Sequence, residues 1–227
     1  MAAAVCWTTL FLLVIVWTDH VSDAVTPARL SRVVSQVKRN YQPTGMFSMA
    51  LRVPDNQNQN KNINQILATL LRDDPPTNVL NKVRNSEVYV GTWLVEAVKV
   101  DGPPLVHSEA GVAQHLNDLL RMRNNNVPDW LIFYAFASPC DQRCTNSQHP
   151  ANILTSINVM NQWPTRFFVF SKIFRPRSGL AIPVESLSES LQRLGTVIGK
   201  ENIFRCDQGT CTPCFNGNVV STVCVSD

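Results

Sequence analysis

Trp130-Leu-Ile-Phe-Tyr-Ala-Phe-Ala137 runs without a break into Ser138-Pro139-Cys140-Asp141-Gln142-Arg143-Cys144. An apolar run with no polar alternation predicts a strand covered on both faces, the centre of a sheet layered by helices. Pro139 stops the strand, and two cysteines follow at once. Upstream, the turn residues Asp101-Gly102-Pro103-Pro104 lead into His107-Ser108-Glu109. The segment from His107 to Met122 reads as a helix, with Glu109, Ala113, Leu116 and Leu120 on one stripe. That stripe buries Glu109 near the helix start, where a lone carboxylate is costly unless it has a partner or a task.

One imidazole and two thiols, with a non-ligating Glu close by, are the parts of a catalytic zinc site. Zinc in such sites takes three N or S ligands and leaves the fourth position to water, whose pKa falls to about 7. His107, Cys140 and Cys144 are the candidate ligands, and Glu109 the candidate proton carrier. His107 and Cys140 both stand at expected helix starts, where the positive helix end favours thiolate and hydroxide. Each residue also has a plainer reading: His107 as a packed or capping side chain, Glu109 as first-turn acid, Cys140 and Cys144 as a local disulfide.

Elsewhere the pattern alternates between helix and strand. Residues 27–40 are expected to be helical, 46–53 a strand and 55–64 an Asn/Gln-rich surface loop. A short helix at 63–71 stops at Asp73-Asp74-Pro75-Pro76. Residues 88–100 read as a strand with a bulge at Gly91. After the cysteines come a helix over 150–162, a strand over 165–174, a helix to Ile198 opened by a capping box at Ser186-Leu187-Ser188-Glu189, and a last strand at 203–205. This order predicts an α/β sheet flanked by helices. His115 reads as packing or surface, and His149 has no assigned role.

The totals narrow the class. At 227 residues, with 44% hydrophobic and 16% charged residues, the chain suits one globular domain and not a disordered segment. A net charge of +3 excludes a strongly basic nucleic-acid footprint but leaves room for a local basic groove. Residues 1–24 hold the apolar run Cys6 to Trp17 and small residues at Ser22-Asp23-Ala24, the pattern of a secretory signal peptide. The run is short of the ~20 residues a membrane span needs, so no stable membrane insertion is expected. Residues 25–205 then form the main domain, and 206–227 a Cys-rich tail packed on it. Cys206, Cys211, Cys214 and Cys224 are disulfide candidates with three possible pairings. Cys211-Thr212-Pro213-Cys214 also has zinc-knuckle or thiol-redox spacing.

His107-Ser108-Glu109 followed by Pro139-Cys140 and Cys144 resembles the H-x-E…P-C-x-x-C pattern of the zinc-dependent cytidine deaminase superfamily. Ser138-Pro139-Cys140 at a strand end resembles its AID/APOBEC-like polynucleotide branch, and the leader resembles the secreted AID/APOBEC-like deaminases of fish. The resemblance implies a cytidine-deaminase-like three-layer fold, with a central mixed five-stranded sheet between helices. It implies Zn2+ on His107, Cys140 and Cys144, with Glu109 carrying protons as cytosine becomes uracil. Ser138 would accept a hydrogen bond from the base amino group through its carbonyl. Phe174, Arg175 and Arg177, after the fourth of those strands, would contact single-stranded DNA or RNA.

The cysteine spacer here is three residues where two is commonest, and Ala137 stands where the branch usually carries Trp. Trp130, Tyr134 and Phe136 are the neighbouring aromatics available to replace it. Two other readings stay open: a deaminase of free pyrimidine nucleosides, and a secreted zinc-containing binding protein without catalysis.

Overall fold

A computed structural model describes residues 25–54, 63–102, 105–123, 128–176 and 182–226. The expected signal peptide, most of the Asn/Gln-rich loop and Arg177 lie outside the described residues. Helix α1 (Pro27–Tyr41) begins where Thr26 accepts a hydrogen bond from the Arg29 N–H at 3.2 Å, with Pro27 supplying the fixed φ of a first helical residue. It is followed by β1 (Phe47–Pro54), α2 (Ile63–Asp73), α3 (Pro76–Arg84), β2 (Tyr89–Val90) and β3 (Leu94–Val98). Then come α4 (Ser108–Gln114), α5 (Leu116–Arg121), β4 (Asp129–Ala137), α6 (Leu154–Ile157), β5 (Arg166–Lys172) and α7 (Val184–Ile198). The chain closes with β6 (Ile203–Asp207), β7 (Thr210–Pro213) and a small hairpin, β8 (Phe215–Asn216) with β9 (Val219–Val220).

The main sheet is mixed, in the order β2-β3-β1-β4-β5-β6-β7. The β4–β5 and β5–β6 pairs are parallel and the other neighbours antiparallel. The apolar run 130–137 is its middle strand, as its composition requires. Trp130, Ile132 and Tyr134 face a core shared with α1 and α2, whereas Leu131, Phe133 and Ala135 face a core shared with α4 to α7. Helices on both faces make the expected three layers.

The sheet has seven strands, not five. Gly91 splits the expected 88–100 strand into β2 and β3, and the first half of the Cys-rich tail folds back on β6 as β7.

Other boundaries also differ. The expected helix from His107 breaks at His115, whose ring bonds Asp118 at 2.8 Å. The expected 150–162 helix is one α turn from Leu154 followed by a 3-10 turn, because Pro150 has no N–H and the chain around it is spent in turns. Helix α7 opens two residues before Ser186, after Pro183, with no side-chain cap, so the capping box is not formed.

The four tail cysteines pair as Cys206–Cys211 and Cys214–Cys224. The first bridge lies against the α1 face and the second is buried in the α7 face. This arrangement leaves no zinc knuckle at Cys211 and Cys214.

Candidate metal centre

The site forms where α4 meets the end of β4. Helix α4 lies close to the sheet because the residues between them are small. Ala50, Ala97 and Ala135 form the contact surface, and a Cβ on Gly111 would stand 3.1 Å from the Ala97 Cβ. His107 is the N-cap residue of α4 but makes no capping bond with its side chain. Its ring turns instead toward the cysteines.

Cys140 leaves β4 through Ser138 and Pro139. The Ser138 N–H donates to the Lys172 carbonyl at 2.8 Å, extending the β4–β5 ladder by one step. From α7, the Ser190 hydroxyl donates to the Pro139 carbonyl at 2.7 Å, and the Thr145 N–H closes a turn on the Cys140 carbonyl at 3.1 Å. The loop holding both cysteines is thus pinned by β5 and α7. Cys140 does not open a regular helix as expected, although the Cys144 N–H does donate to its sulfur at 3.3 Å.

His107 Nδ1 lies 3.1 Å from Cys144 Sγ and 3.8 Å from Cys140 Sγ, and the two sulfurs are 3.2 Å apart. Both cysteines are free thiols, well beyond the ~2.05 Å of a disulfide. A tetrahedral ion with Zn–S of about 2.3 Å and Zn–N of about 2.0–2.1 Å separates its donors by about 3.5–3.8 Å. The three donor atoms therefore fit one ion with shifts of a few tenths of an ångström, and among the described residues they are the group able to hold a metal.

The electrostatics agree with that donor set. The Cys140 thiol is pushed down to about 4, chiefly by a hydrogen bond from the Cys144 thiol and further by His107, against the cost of burial. The Cys144 thiol moves up, because it keeps the shared proton and is buried. The bond to Cys140 raises the His107 imidazole. A metal takes the place of such a shared proton.

Glu109 is one residue into α4 and buried, with 5% of its surface exposed. Burial raises its carboxyl above the usual range, opposed by its own backbone N–H and by His107. The Ser108 hydroxyl donates to Oε2 at 3.2 Å.

His107, Glu109 and Cys140 line a cavity of about 730 Å3 that opens between the Pro43–Met46 segment, β3 and the segment after β5. Phe174 and Arg175 are also in its lining, and Phe174 is its one Phe, Tyr or Trp among the described residues. Ser138 is buried rather than in the lining, and its hydroxyl accepts the Phe174 N–H at 2.9 Å, tying that aromatic over the site. Trp130, Tyr134 and Phe136 do not replace the missing Trp: strand alternation turns them to the α1 face, away from the cavity.

Sequence reasoning passed over Arg143 and Arg84, which also line the cavity. Arg143 was visible as the basic residue inside the cysteine spacer. Arg84 comes from α3, a helix that the Pro75-Pro76 stop had hidden.

Neither the curated proteins nor the solved structures contain a significant match to this chain. A family model described as Secreted Novel AID/APOBEC-like Deaminase 1 matches residues 27–227, which takes in the whole described fold, the His107/Cys140/Cys144 group and both disulfides. The chain belongs to the Secreted Novel AID/APOBEC-like Deaminase 1 family.

Proposed function

We propose that the chain is a secreted, zinc-dependent hydrolytic deaminase that converts cytosine to uracil in a single-stranded polynucleotide. The observation that carries this reading is the convergence of His107, Cys140 and Cys144 donor atoms within 4.8 Å, where His107, Cys140 and the buried Glu109 line an open cavity. When bound, zinc supplies a water activated for attack near neutral pH. His107, Cys140 and Cys144 would hold it. Glu109 takes the two protons of the attacking water in turn, passing the first to the ring nitrogen and the second to the departing amino group, so that one water is consumed and one ammonia released.

Phe174 offers a face for base stacking, and Arg143, Arg175 and Arg84 offer cations to phosphates around the target base. A single strand is the expected form because the target carbon is inaccessible within a duplex. Secretion is supported by the family's description and by two disulfides, which persist in oxidising compartments. No helix among the described residues is long and apolar enough to cross a membrane.

The test is mass-spectrometric detection of uracil in an oligonucleotide carrying one cytosine. Wild type converts it, and Glu109→Gln lowers the rate by about 10²–10⁴ with metal content unchanged, the range general acid–base catalysis contributes. Full activity in Glu109→Gln removes the role given to that residue. Turnover of cytidine without turnover of the oligonucleotide transfers the reading to a nucleoside deaminase. Stoichiometric zinc with no turnover of any base leaves a binding protein.

A further inference from the structure

Ser48 and Ser108 form a hydrogen-bond chain that the deaminase reading leaves unused. Ser48 is on β1 with none of its surface exposed, and Ser108 is the first residue of α4 with 3% exposed. Their hydroxyl oxygens are 2.9 Å apart. The Ser108 hydroxyl donates to Glu109 Oε2 at 3.2 Å. A hydroxyl has one proton to give. With that proton committed to Glu109, Ser108 can only accept from Ser48, so the chain runs from Ser48 to Ser108 to Glu109.

The surroundings make the arrangement specific. Ser48 pairs across the sheet with Ala97 on β3 and Ala135 on β4. These small side chains belong to the face on which α4 is seated. Neither alanine side chain can hydrogen-bond a hydroxyl, and a buried hydroxyl without a partner is costly. Ser48 therefore anchors Ser108 at one fixed point of the central sheet, and Ser108 fixes one carboxyl oxygen of Glu109. The deaminase pattern H-x-E leaves the middle position open. In this chain that position carries the hydroxyl that links the proton carrier to β1.

We propose that Ser48 and Ser108 are positioning residues, which hold the Glu109 carboxyl in one orientation beside the metal ligands by anchoring it to β1. This rests on the deaminase reading for its effect on rate, but the orientation itself can be measured without turnover. A side chain with two free torsions beyond Cβ keeps a single productive pose only if its supports are in place, and small misplacements of a reacting group reduce rate strongly. The Ser48 hydroxyl pairs with Ser108 and not with a ligand residue, and Ser48 is not in the cavity lining, so its removal reports on positioning.

The experiment compares wild type, Ser48→Ala, Ser108→Ala and the double variant, each assayed for zinc content, thermal midpoint, kcat and KM. Each single variant is expected to lose about tenfold in kcat, the scale of one hydrogen bond, with KM and zinc unchanged. The double variant is expected to lose no more than the worse single one, since Ser48 acts through Ser108. Crystal structures supply the second readout: one Glu109 conformer in wild type and a displaced or divided carboxyl in Ser48→Ala. Losses that multiply in the double variant, a rise in KM with kcat intact, or an undisturbed Glu109 in Ser48→Ala overturn the proposal. If wild type turns over no base, the deaminase reading fails, and the two crystal structures alone decide whether the serines orient Glu109.

Discussion

Glu96 carries a buried carboxyl with no ion-pair partner among the described residues, and it lies outside the candidate site. It sits on β3 with none of its surface exposed, and neither carboxyl oxygen has a hydrogen-bond partner among the described residues. Strand alternation points it at the α1 face, where its cross-strand neighbours are Met49 and Tyr89. Burial pushes its pKa from 4.5 to about 9, so it is a neutral acid at neutral pH.

The consequence for stability has a definite sign. The fold favours the protonated form, so the contribution of Glu96 is fully present below about 4.5 and is lost as pH rises toward about 9. The loss approaches about 1.4 kcal/mol per pH unit inside that window. Glu96→Gln is expected to melt higher than wild type at about pH 8, and its melting temperature should fall less between about pH 5 and 9. Parallel curves for the two proteins would show that Glu96 is charged in the fold. Its sequence context, Val95-Glu96-Ala97-Val98, reads as an ordinary strand with one polar face. Only the position of β3, with α1 to α3 over that face, makes the residue buried. The candidate ligands were legible because their chemistry is rare and their order repeats a known pattern, whereas Ser48 had nothing local to mark it. Its role appears only when α4 is seated on β1.

At the scale of elements, the turn between β2 and β3 is held by a residue from before α3. The Asp74 carboxylate accepts from the Tyr89 hydroxyl at 3.0 Å and from the N–H groups of Thr92 and Trp93 at 3.0 and 2.7 Å. Its carbonyl accepts from the Tyr41 hydroxyl at 2.8 Å. Gly91 passes directly over this carboxylate, and a Cβ there would overlap it. Gly91→Ala is therefore expected to cost about 1–3 kcal/mol, read as a lower melting temperature. An unchanged melt would mean that the turn can move away from Asp74 without loss.

The sequence marks Gly91 as an interruption of a Val-rich run but cannot tell a bulge from a turn, because the deciding partner is Asp74. Pro75-Pro76 misleads for a related reason. Proline ends a helix when it falls inside one, yet at the first position it opens one, and Pro76 opens α3. Elements with long uniform runs, such as β4 and α1, came through with their boundaries nearly intact. Short elements whose ends depend on tertiary partners did not.

At the scale of the molecule, one central sheet separates two buried layers, and the chain after β5 and α7 completes both. Cys206 and Cys211 are direct partners in the β6–β7 register, and Cys214 and Cys224 enclose the β8–β9 hairpin. Spacing alone left three pairings open; strand register chooses between them. The charge balance bears on the substrate at this same scale. Net charge is +3, but Arg84, Arg143 and Arg175 gather on one cavity. If each meets one phosphate, the affinity for a single-stranded oligonucleotide falls with salt at a log–log slope of about −2, and Arg143→Ala reduces that slope by about 0.7. A salt-independent affinity would mean that the bound species carries no phosphate at these positions.

The zinc K-edge X-ray absorption spectrum of the purified protein reaches the metal centre most directly. Two sulfurs at about 2.3 Å and two N or O atoms at about 2.0–2.1 Å are expected, one of the latter lost in a variant lacking the His107 imidazole. A shell of four sulfurs, a shell without sulfur, or protein that holds no zinc with Cys140 and Cys144 oxidised to a disulfide would contradict the metal centre and the deaminase reading built on it.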